Sequence, residues 1–267
     1  MSTNTRSIQW PIKHEIFGVG VSATSYDEVT AKVVSAARRG QGGLLTFAAV
    51  HCVMCGVQDA EHRKRLNAFD VVATDGQPVR WALNFLYGAG LKDRVYGPEL
   101  TRRACKAAAE QGIPIYLYGA TPQVLEKLQQ NLLAMFPALK IAGVESPPFR
   151  ALTAEEDEAA VKRINDSGAG ILLIGLGAPK QERFAYEHRD RIKAVQLCVG
   201  AAFDFHAGEK KTAPAWMQKR GLEWLFRLCQ EPGRLWKRYL TTNTHFVFLF
   251  LREAMLRRRP RTTAIPA

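Results

Sequence analysis

The chain has 267 residues, of which 47% are hydrophobic and 23% are charged, a composition that excludes an intrinsically disordered protein. Its net charge is +12, and residues 209–267 hold 13 Lys and Arg against four Asp and Glu, so most of the excess lies in the last fifth. No secretory signal and no apolar run of the roughly 18–20 residues that span a membrane is recognised. With five cysteines, an odd number, the chain is expected to be cytoplasmic.

Short apolar runs alternate with segments of helical length over the first 208 residues. Helix starts are indicated by Ser25 with Glu28, by Thr121-Pro122 and by Thr153 with Glu156. The predicted strands are 16–21, 43–48, 71–74, 115–118, 170–174 and 195–199. This alternation predicts an α/β fold with a Rossmann-like, largely parallel sheet and helices on both faces.

Beyond residue 208 the predicted strands stop. Residues 214–256 read as consecutive helices rich in Trp, Phe, Leu and Arg, and 246–251 fall on an amphipathic pattern. We therefore expect an α/β core over 1–208 and a basic, aromatic, helical appendage over 209–267 that associates with a membrane surface.

Thr74-Asp75-Gly76 directly follows the apolar run 69–73. Ligands of open α/β sheets gather at the carboxyl ends of strands, so a carboxylate at this point is well placed for chemistry. Asp75 is a candidate general base that removes the proton of an attacking hydroxyl. Taken alone, an Asp before a Gly is more often a turn residue, and that alternative stays open.

A glycine-rich turn, residues 175–182, follows the fifth predicted strand. Gly175 and Gly177 leave backbone amides that are able to face an anion at the start of the next helix. Lys180 adds a positive charge, and Gln181 is able both to donate and to accept hydrogen bonds. The spacing matches neither the P-loop nor G-x-G-x-x-G, so neither ATP nor NAD is predicted.

Asp204 lies in a short apolar segment between two glycines. Its candidate role is substrate binding, and the alternative is a core Asp with satisfied hydrogen bonds.

Cys52 and Cys55 resemble half of a metal or redox site, but no second Cys or His pair stands at ligand spacing, so we predict packing and no metal.

Three arginines of the C-terminal segment stand at helical spacing. Arg227, Arg234 and Arg238 are separated by seven and four residues, so one helix presents them on one face if it continues through Pro232. Arginine forks bind phosphate groups in bidentate fashion, whereas the alternative interpretation is a solvated surface.

Together these features resemble the WecG/TagA/CpsF family of bacterial glycosyltransferases over about residues 16–240. The resemblance is also carried by Thr46 in the second predicted strand, by Arg94 with Gly97, and by residues 214–216 and 221–240. It implies an inverting, metal-independent enzyme without a cofactor, which moves a hexose or N-acetylhexosamine from a UDP-sugar. The implied acceptor is a polyprenyl-diphosphate-linked sugar at the inner face of the cytoplasmic membrane, in surface polysaccharide biosynthesis.

The resemblance also assigns residue roles. It makes Asp75 the catalytic base, places Thr46, Arg94 and Gln181 around the sugar, and directs arginines of the appendage to the diphosphate, with Lys237 or Arg238 as the third cation. The expected substrate-binding residues are Thr46, Arg94, Gly175, Gly177, Lys180, Gln181, Glu182, Asp204, Arg227, Arg234 and Arg238.

Members of that family often carry Asn two residues after the Thr, where this chain has Ala48. An Ala offers no side-chain hydrogen bond, which disfavours N-acetylmannosamine as the donor and leaves glucose or another hexose open.

Two other functions compete with the transferase. A nucleotide-cofactor oxidoreductase needs a third glycine that the segment after Gly18 lacks. A non-catalytic α/β protein that binds nucleotides or a membrane surface is the remaining alternative; nucleic-acid binding is not expected, and the oligomeric state is open.

Overall fold

The computed structural model describes residues 8–256 and 264–265, without the side chains of residues 215, 219, 234, 238, 264 and 265. The strands are β1 Lys13–Ile16, β2 Val19–Ser22, β3 Gly43–Ala48, β4 Val71–Thr74, β5 Ile115–Gly119, β6 Ile141–Glu145, β7 Ile171–Gly175, β8 Val195–Cys198 and β9 Ala264–Ile265. The helices up to residue 206 are α1 Tyr26–Arg38, α2 Val50–Gln58, α3 Ala60–Asn67, α4 Gln77–Tyr87, α5 Gly97–Gln111, α6 Pro122–Met135, α7 Ala154–Asp166, α8 Lys180–Glu187 and α9 Ala202–His206. Three more follow, α10 Ala215–Lys219, α11 Glu223–Gln230 and α12 Pro232–Leu256.

One sheet runs through the described part of the chain in the order β6-β5-β7-β8-β3-β4-β2-β1-β9. Every pair from β6 to β2 is parallel, and the two antiparallel pairs of the described sheet, β2–β1 and β1–β9, lie at one edge. Apolar side chains form one buried cluster on each face of the sheet, beneath the covering helices. The predicted α/β fold with a largely parallel sheet is confirmed.

The first predicted strand, 16–21, is wrong because the chain reverses within it. Phe17 and Gly18 have φ angles of 53° and 87°, so both lie in the left-handed region and form a two-residue hairpin turn between β1 and β2. Strand β6 was not predicted; it lies at the edge of the sheet and alternates half-buried with exposed residues.

The predicted helix starts differ in how completely they are capped. Thr121 and Thr153 accept the expected backbone bonds, and Thr153 with Glu156 forms both halves of a capping box. Ser25 accepts from the amide of Glu28, but the Glu28 carboxylate bonds the hydroxyl of Thr24 instead, so that box is half formed.

The C-terminal segment packs on the core rather than standing apart from it. Phe246 and Leu249 of α12 are buried within the apolar cluster that contains α2. The two residues of β9 pair with Lys13 and His14 of β1, so the expectation that strands end near residue 208 is wrong. None of the described helices combines the length and hydrophobicity that a bilayer crossing requires.

Candidate active site

Asp75 stands where β4 ends, next to the end of β3. The apolar run of β4 stops at Thr74, and the Asp75 amide donates to the carbonyl of Ala48 at the end of β3 (3.1 Å). Its Oδ1 accepts a 2.9 Å hydrogen bond from the amide of Gly97, the first residue of α5. The backbone of two strands and one helix start therefore fixes the position of this carboxylate.

The surroundings of Asp75 disfavour loss of its proton. Burial raises the pKa of the carboxyl above its ordinary value, and the negative charge of Glu223 adds to this. Arg94, the Gly97 amide and Arg227 act in the opposite direction. A carboxylate with a raised pKa is a stronger base than one in water, which suits it to proton abstraction.

Arg94 is held on three sides and is only 7% exposed. Its Nη1 donates to the carbonyl of Asp75 (3.0 Å), and its Nη2 forms an ion pair with Glu223. The guanidinium lies 4.5 Å over the ring of Tyr96. Because Glu223 begins α11, this ion pair joins the core to the C-terminal segment.

A cavity of about 230 Å³ opens beside Asp75 at the carboxyl edge of the sheet. Phe47, Val50, Gln77 and Arg94 belong to its core side. The C-terminal segment contributes Gly221, Glu223, Trp224, Arg227, Tyr239 and Asn243. The cavity is therefore incomplete without α11 and α12, and it combines two carboxylates, two arginines and aromatic rings, a lining typical of ligand sites.

A second cleft of about 490 Å³ adjoins the ends of β5 and β7. Gly175, Leu176 and Lys180 line it, whereas Ala178, from the same glycine-rich turn, lines the Asp75 cavity. The turn thus forms a wall shared by the two spaces. Gly177 within it has a φ of +77°, a conformation that favours glycine.

The family model described as Glycosyl transferase WecG/TagA/CpsF family matches residues 14–260, which is most of the chain. The chain belongs to the WecG/TagA/CpsF family. It is a glycosyltransferase of surface polysaccharide biosynthesis, and membership implies in general terms a sugar-nucleotide donor and a lipid-linked acceptor.

In this transferase Thr46, Gln181 and Glu182 form a buried network rather than part of the cavity lining. The Thr46 hydroxyl donates to Oε1 of Glu182 (2.8 Å), and Nε2 of Gln181 donates to the same oxygen (3.0 Å). Gln181 also donates to the carbonyl of Cys198 and accepts from the amide of Gly177. The network therefore ties β3 to the glycine-rich turn.

Glu182 has an unusual environment in this network. It is 1% exposed, burial raises its pKa, and its Oε2 has no hydrogen-bond partner among the described residues. Burial of an ionised carboxylate is costly, so this environment favours the protonated form.

Gly175 and Asp204 meet structural neighbours. A Cβ at Gly175 would lie 2.4 Å from the Phe203 ring, so glycine is required there for packing between β7 and α9. Asp204, on α9, pairs with Lys210 at 2.7 Å and does not line the Asp75 cavity. Its sequence-based role in substrate binding stays a prediction.

The condition for three arginines on one helix face, a helix that continues through Pro232, is not met. α11 ends at Gln230 and α12 begins at Pro232, because a proline is accepted at a helix start but not in its interior. Arg227 therefore lies on α11 and lines the cavity, whereas Arg234 and Arg238 belong to α12, and their side chains lie outside the described part of the structure.

Glu223, Tyr239 and Asn243 line the cavity without a role predicted from the sequence. Glu223 lay in the segment that carries the family resemblance, but its sequence did not show that it faces Arg94, 129 residues earlier. Tyr239 and Asn243 are spaced by four residues on α12, so they share a helix face, and this is the signal that links them.

Proposed function

We propose that this transferase is an inverting, metal-independent enzyme that moves a hexose or N-acetylhexosamine from a UDP-sugar to a polyprenyl-diphosphate-linked sugar. The observation that carries the proposal is the Asp75 carboxylate at the wall of the cavity, with one oxygen held by the Gly97 amide. Its raised pKa brings a weak base closer to the strength that proton abstraction near neutral pH requires.

In the proposed reaction an acceptor hydroxyl attacks the anomeric carbon from the face opposite the nucleotide. A new C–O bond forms while the bond from that carbon to the β-phosphate oxygen breaks, and its electron pair leaves with UDP. Asp75 takes the hydroxyl proton, a step that typically contributes about 10²–10⁴-fold to the rate. One displacement of this kind inverts the anomeric configuration.

The departing diphosphate needs positive charge around it. Arg227 lines the Asp75 cavity, and Lys180 lines the cleft beyond the shared turn. We assign the diphosphate to the region between them, so that side-chain cations rather than a metal take up the developing charge. The nucleoside is then assigned to the larger cleft, beside Gly175.

Thr46, Gln181 and Glu182 are proposed to act on the sugar indirectly. Their network joins β3 to the glycine-rich turn, which forms a wall of the cavity. Their polar atoms bond one another rather than lining the cavity. Ala48 is fully buried and belongs to the apolar core, so it offers the sugar no hydrogen bond, in keeping with a hexose donor.

The proposed place of work is the inner face of the cytoplasmic membrane, reached through α12. This helix exposes Val247, Phe248 and Leu251 while its opposite face is buried in the core. An exposed apolar stripe on a segment of positive charge favours contact with an anionic lipid surface, where the lipid-linked acceptor is found.

The deciding experiment measures UDP release by the purified full-length protein. A panel of UDP-sugars is offered with a short-chain lipid-diphosphate sugar, and wild type is compared with Asp75→Asn. We expect release from one donor, dependent on the acceptor and lost in the variant. Equal release by Asp75→Asn would remove Asp75 as the base, and a protein that neither binds UDP nor releases it from any donor would overturn the UDP-sugar transferase.

A further inference from the structure

The ion pair between Arg94 and Glu223 is the most deeply buried charged contact between the core and the C-terminal segment among the described residues. The two residues are 7% and 8% exposed and stand 129 positions apart. The other described ion pairs between these two parts, Lys127 with Glu209 and Lys210 with Asp204, involve side chains with far more access to water. Removal of either partner leaves an uncompensated charge in the protein interior, which is strongly unfavourable.

The contact lies at the point where α11 meets the cavity. Glu223 is the first residue of α11, and its neighbours Trp224 and Arg227 line the space beside Asp75. Just before the helix, Gly221 rests on the Trp81 ring, where an added Cβ would lie 2.8 Å from Cη2. The pair and this packing contact together set where the helix lies.

We propose that Glu223 is a positioning residue, which docks the C-terminal segment on the core through Arg94 and thereby completes the cavity around Asp75. The docking rests on the observed contacts alone, whereas its effect on transfer rests on the proposed function. Glu223 does not touch the reacting atoms in this role. It acts by fixing Arg94, whose other nitrogen bonds the Asp75 carbonyl, and by holding Arg227 at the cavity wall.

The same arrangement predicts an electrostatic signature. The charged groups that act on Asp75 are Arg94, Arg227 and Glu223, and the thiol of Cys52 and the hydroxyls of Tyr26 and Tyr96 also interact with its charge. Glu223 alone among the three charges raises the Asp75 pKa. Its neutralisation in Glu223→Gln therefore lowers that pKa, and the acid limb of the rate profile moves to lower pH.

Docking is tested without any substrate, by hydrogen exchange of the α11 amides in the full-length protein. We expect Glu223→Arg and Arg94→Glu each to increase exchange in α11 at least tenfold, since each places two like charges together. The double variant Arg94→Glu/Glu223→Arg, which restores an opposite pair, should recover much of the protection. Glu110→Arg, at a surface pair on α5, is the matched control and should leave exchange unchanged.

The effect on transfer is tested by the pH dependence of kcat/KM in Glu223→Gln and in the opposite variant Arg227→Gln. The acid limb should move down in the first and up in the second, which a general loss of packing does not produce. Unchanged α11 exchange in both single charge reversals, or an acid limb that stays in place in Glu223→Gln, would overturn the inference. A wild type that transfers from no donor, with the exchange pattern as expected, would instead remove the proposed reaction and leave the docking intact.

Discussion

The amide of Gly97 holds one oxygen of the Asp75 carboxylate, at 2.9 Å from Oδ1, and no described residue donates to Oδ2. Gly97 begins α5, so the donor belongs to the positive end of a helix dipole. One oxygen is thereby fixed while the other stays available at the cavity wall. This division suits a general base, because the oxygen that accepts no described hydrogen bond keeps its lone pairs for a substrate proton.

Asp75→Asn is expected to stabilise the fold while it stops transfer. The folded-state pKa of Asp75 is raised, so the ionised carboxylate costs stability, and this cost grows as pH rises from the unfolded-state value through the raised one. The Tm advantage of the variant should therefore increase from about pH 4 upward and then level off. A gain of about 1 kcal/mol corresponds to roughly 2–4 °C in a chain of this size.

Calorimetry from pH 4 to 8 checks this expectation. Asp190→Asn is the control, because that side chain is 81% exposed, and its variant should show no such advantage. A Tm for Asp75→Asn that is lower than wild type at every pH would show that the carboxylate stabilises the fold.

Glu182→Leu and Glu182→Gln should separate by stability. The leucine keeps the volume but leaves the Thr46 hydroxyl and the Gln181 amide without their buried acceptor, a loss of about 1–3 kcal/mol for each group. Glutamine keeps an acceptor oxygen and carries no charge, so it should unfold at or above the urea midpoint of wild type. Equal damage from both substitutions would mean that the carboxyl itself, and not its hydrogen bonds, supports the site.

Gly221→Ala should loosen the C-terminal segment more than Gly208→Ala does. Both glycines have left-handed φ angles, +71° and +80°, so both alanines carry a backbone cost of about 1–2 kcal/mol. Only at Gly221 would the new Cβ meet an atom, Cη2 of Trp81 at 2.8 Å, whereas nothing lies within 4 Å at Gly208. Limited proteolysis after residue 208 should therefore be faster in Gly221→Ala, and equal rates in the two variants would contradict the contact with Trp81.

Phe246→Ala should change the stability of the fold, whereas Phe248→Ala should change the binding to membranes. Phe246 is 3% exposed and packs edge-on against Phe17 at 5.3 Å, so its truncation should cost about 3–5 kcal/mol of unfolding free energy. Phe248 is 63% exposed, and its truncation should leave the Tm unchanged while it weakens sedimentation with anionic vesicles. Undiminished vesicle binding by Phe248→Ala would argue against this face as the membrane contact.

Much of the fold could be predicted from the sequence because its signals are local. The apolar runs of β3, β4, β7 and β8 lie close to their predicted bounds, since strands buried on both faces read as continuous hydrophobic stretches. Strand β6 was not predicted because an edge strand needs no continuous hydrophobic stretch. The β1–β2 hairpin was not predicted because Phe17-Gly18 is not a usual pair of turn residues.

The site was less predictable because it depends on the directions of side chains and on distant contacts. Asp75 was identified from its place after a strand, and the structure places it at a cavity. Thr46 was chosen by resemblance, but neither spacing nor composition shows that its hydroxyl donates to Glu182. The partnership of Arg94 with Glu223 joins positions 129 residues apart, and no local pattern encodes it.

One wall of the cavity comes from the region around Asp75, and the other comes from α11 and α12, which are synthesised later. At about 5–20 residues per second, roughly 8–30 seconds of translation separate Asp75 from Arg227. The base is therefore made long before the helices that close its cavity. A polypeptide that is released early contains the base but lacks this wall. The cavity is therefore complete only after α11 and α12 have been synthesised.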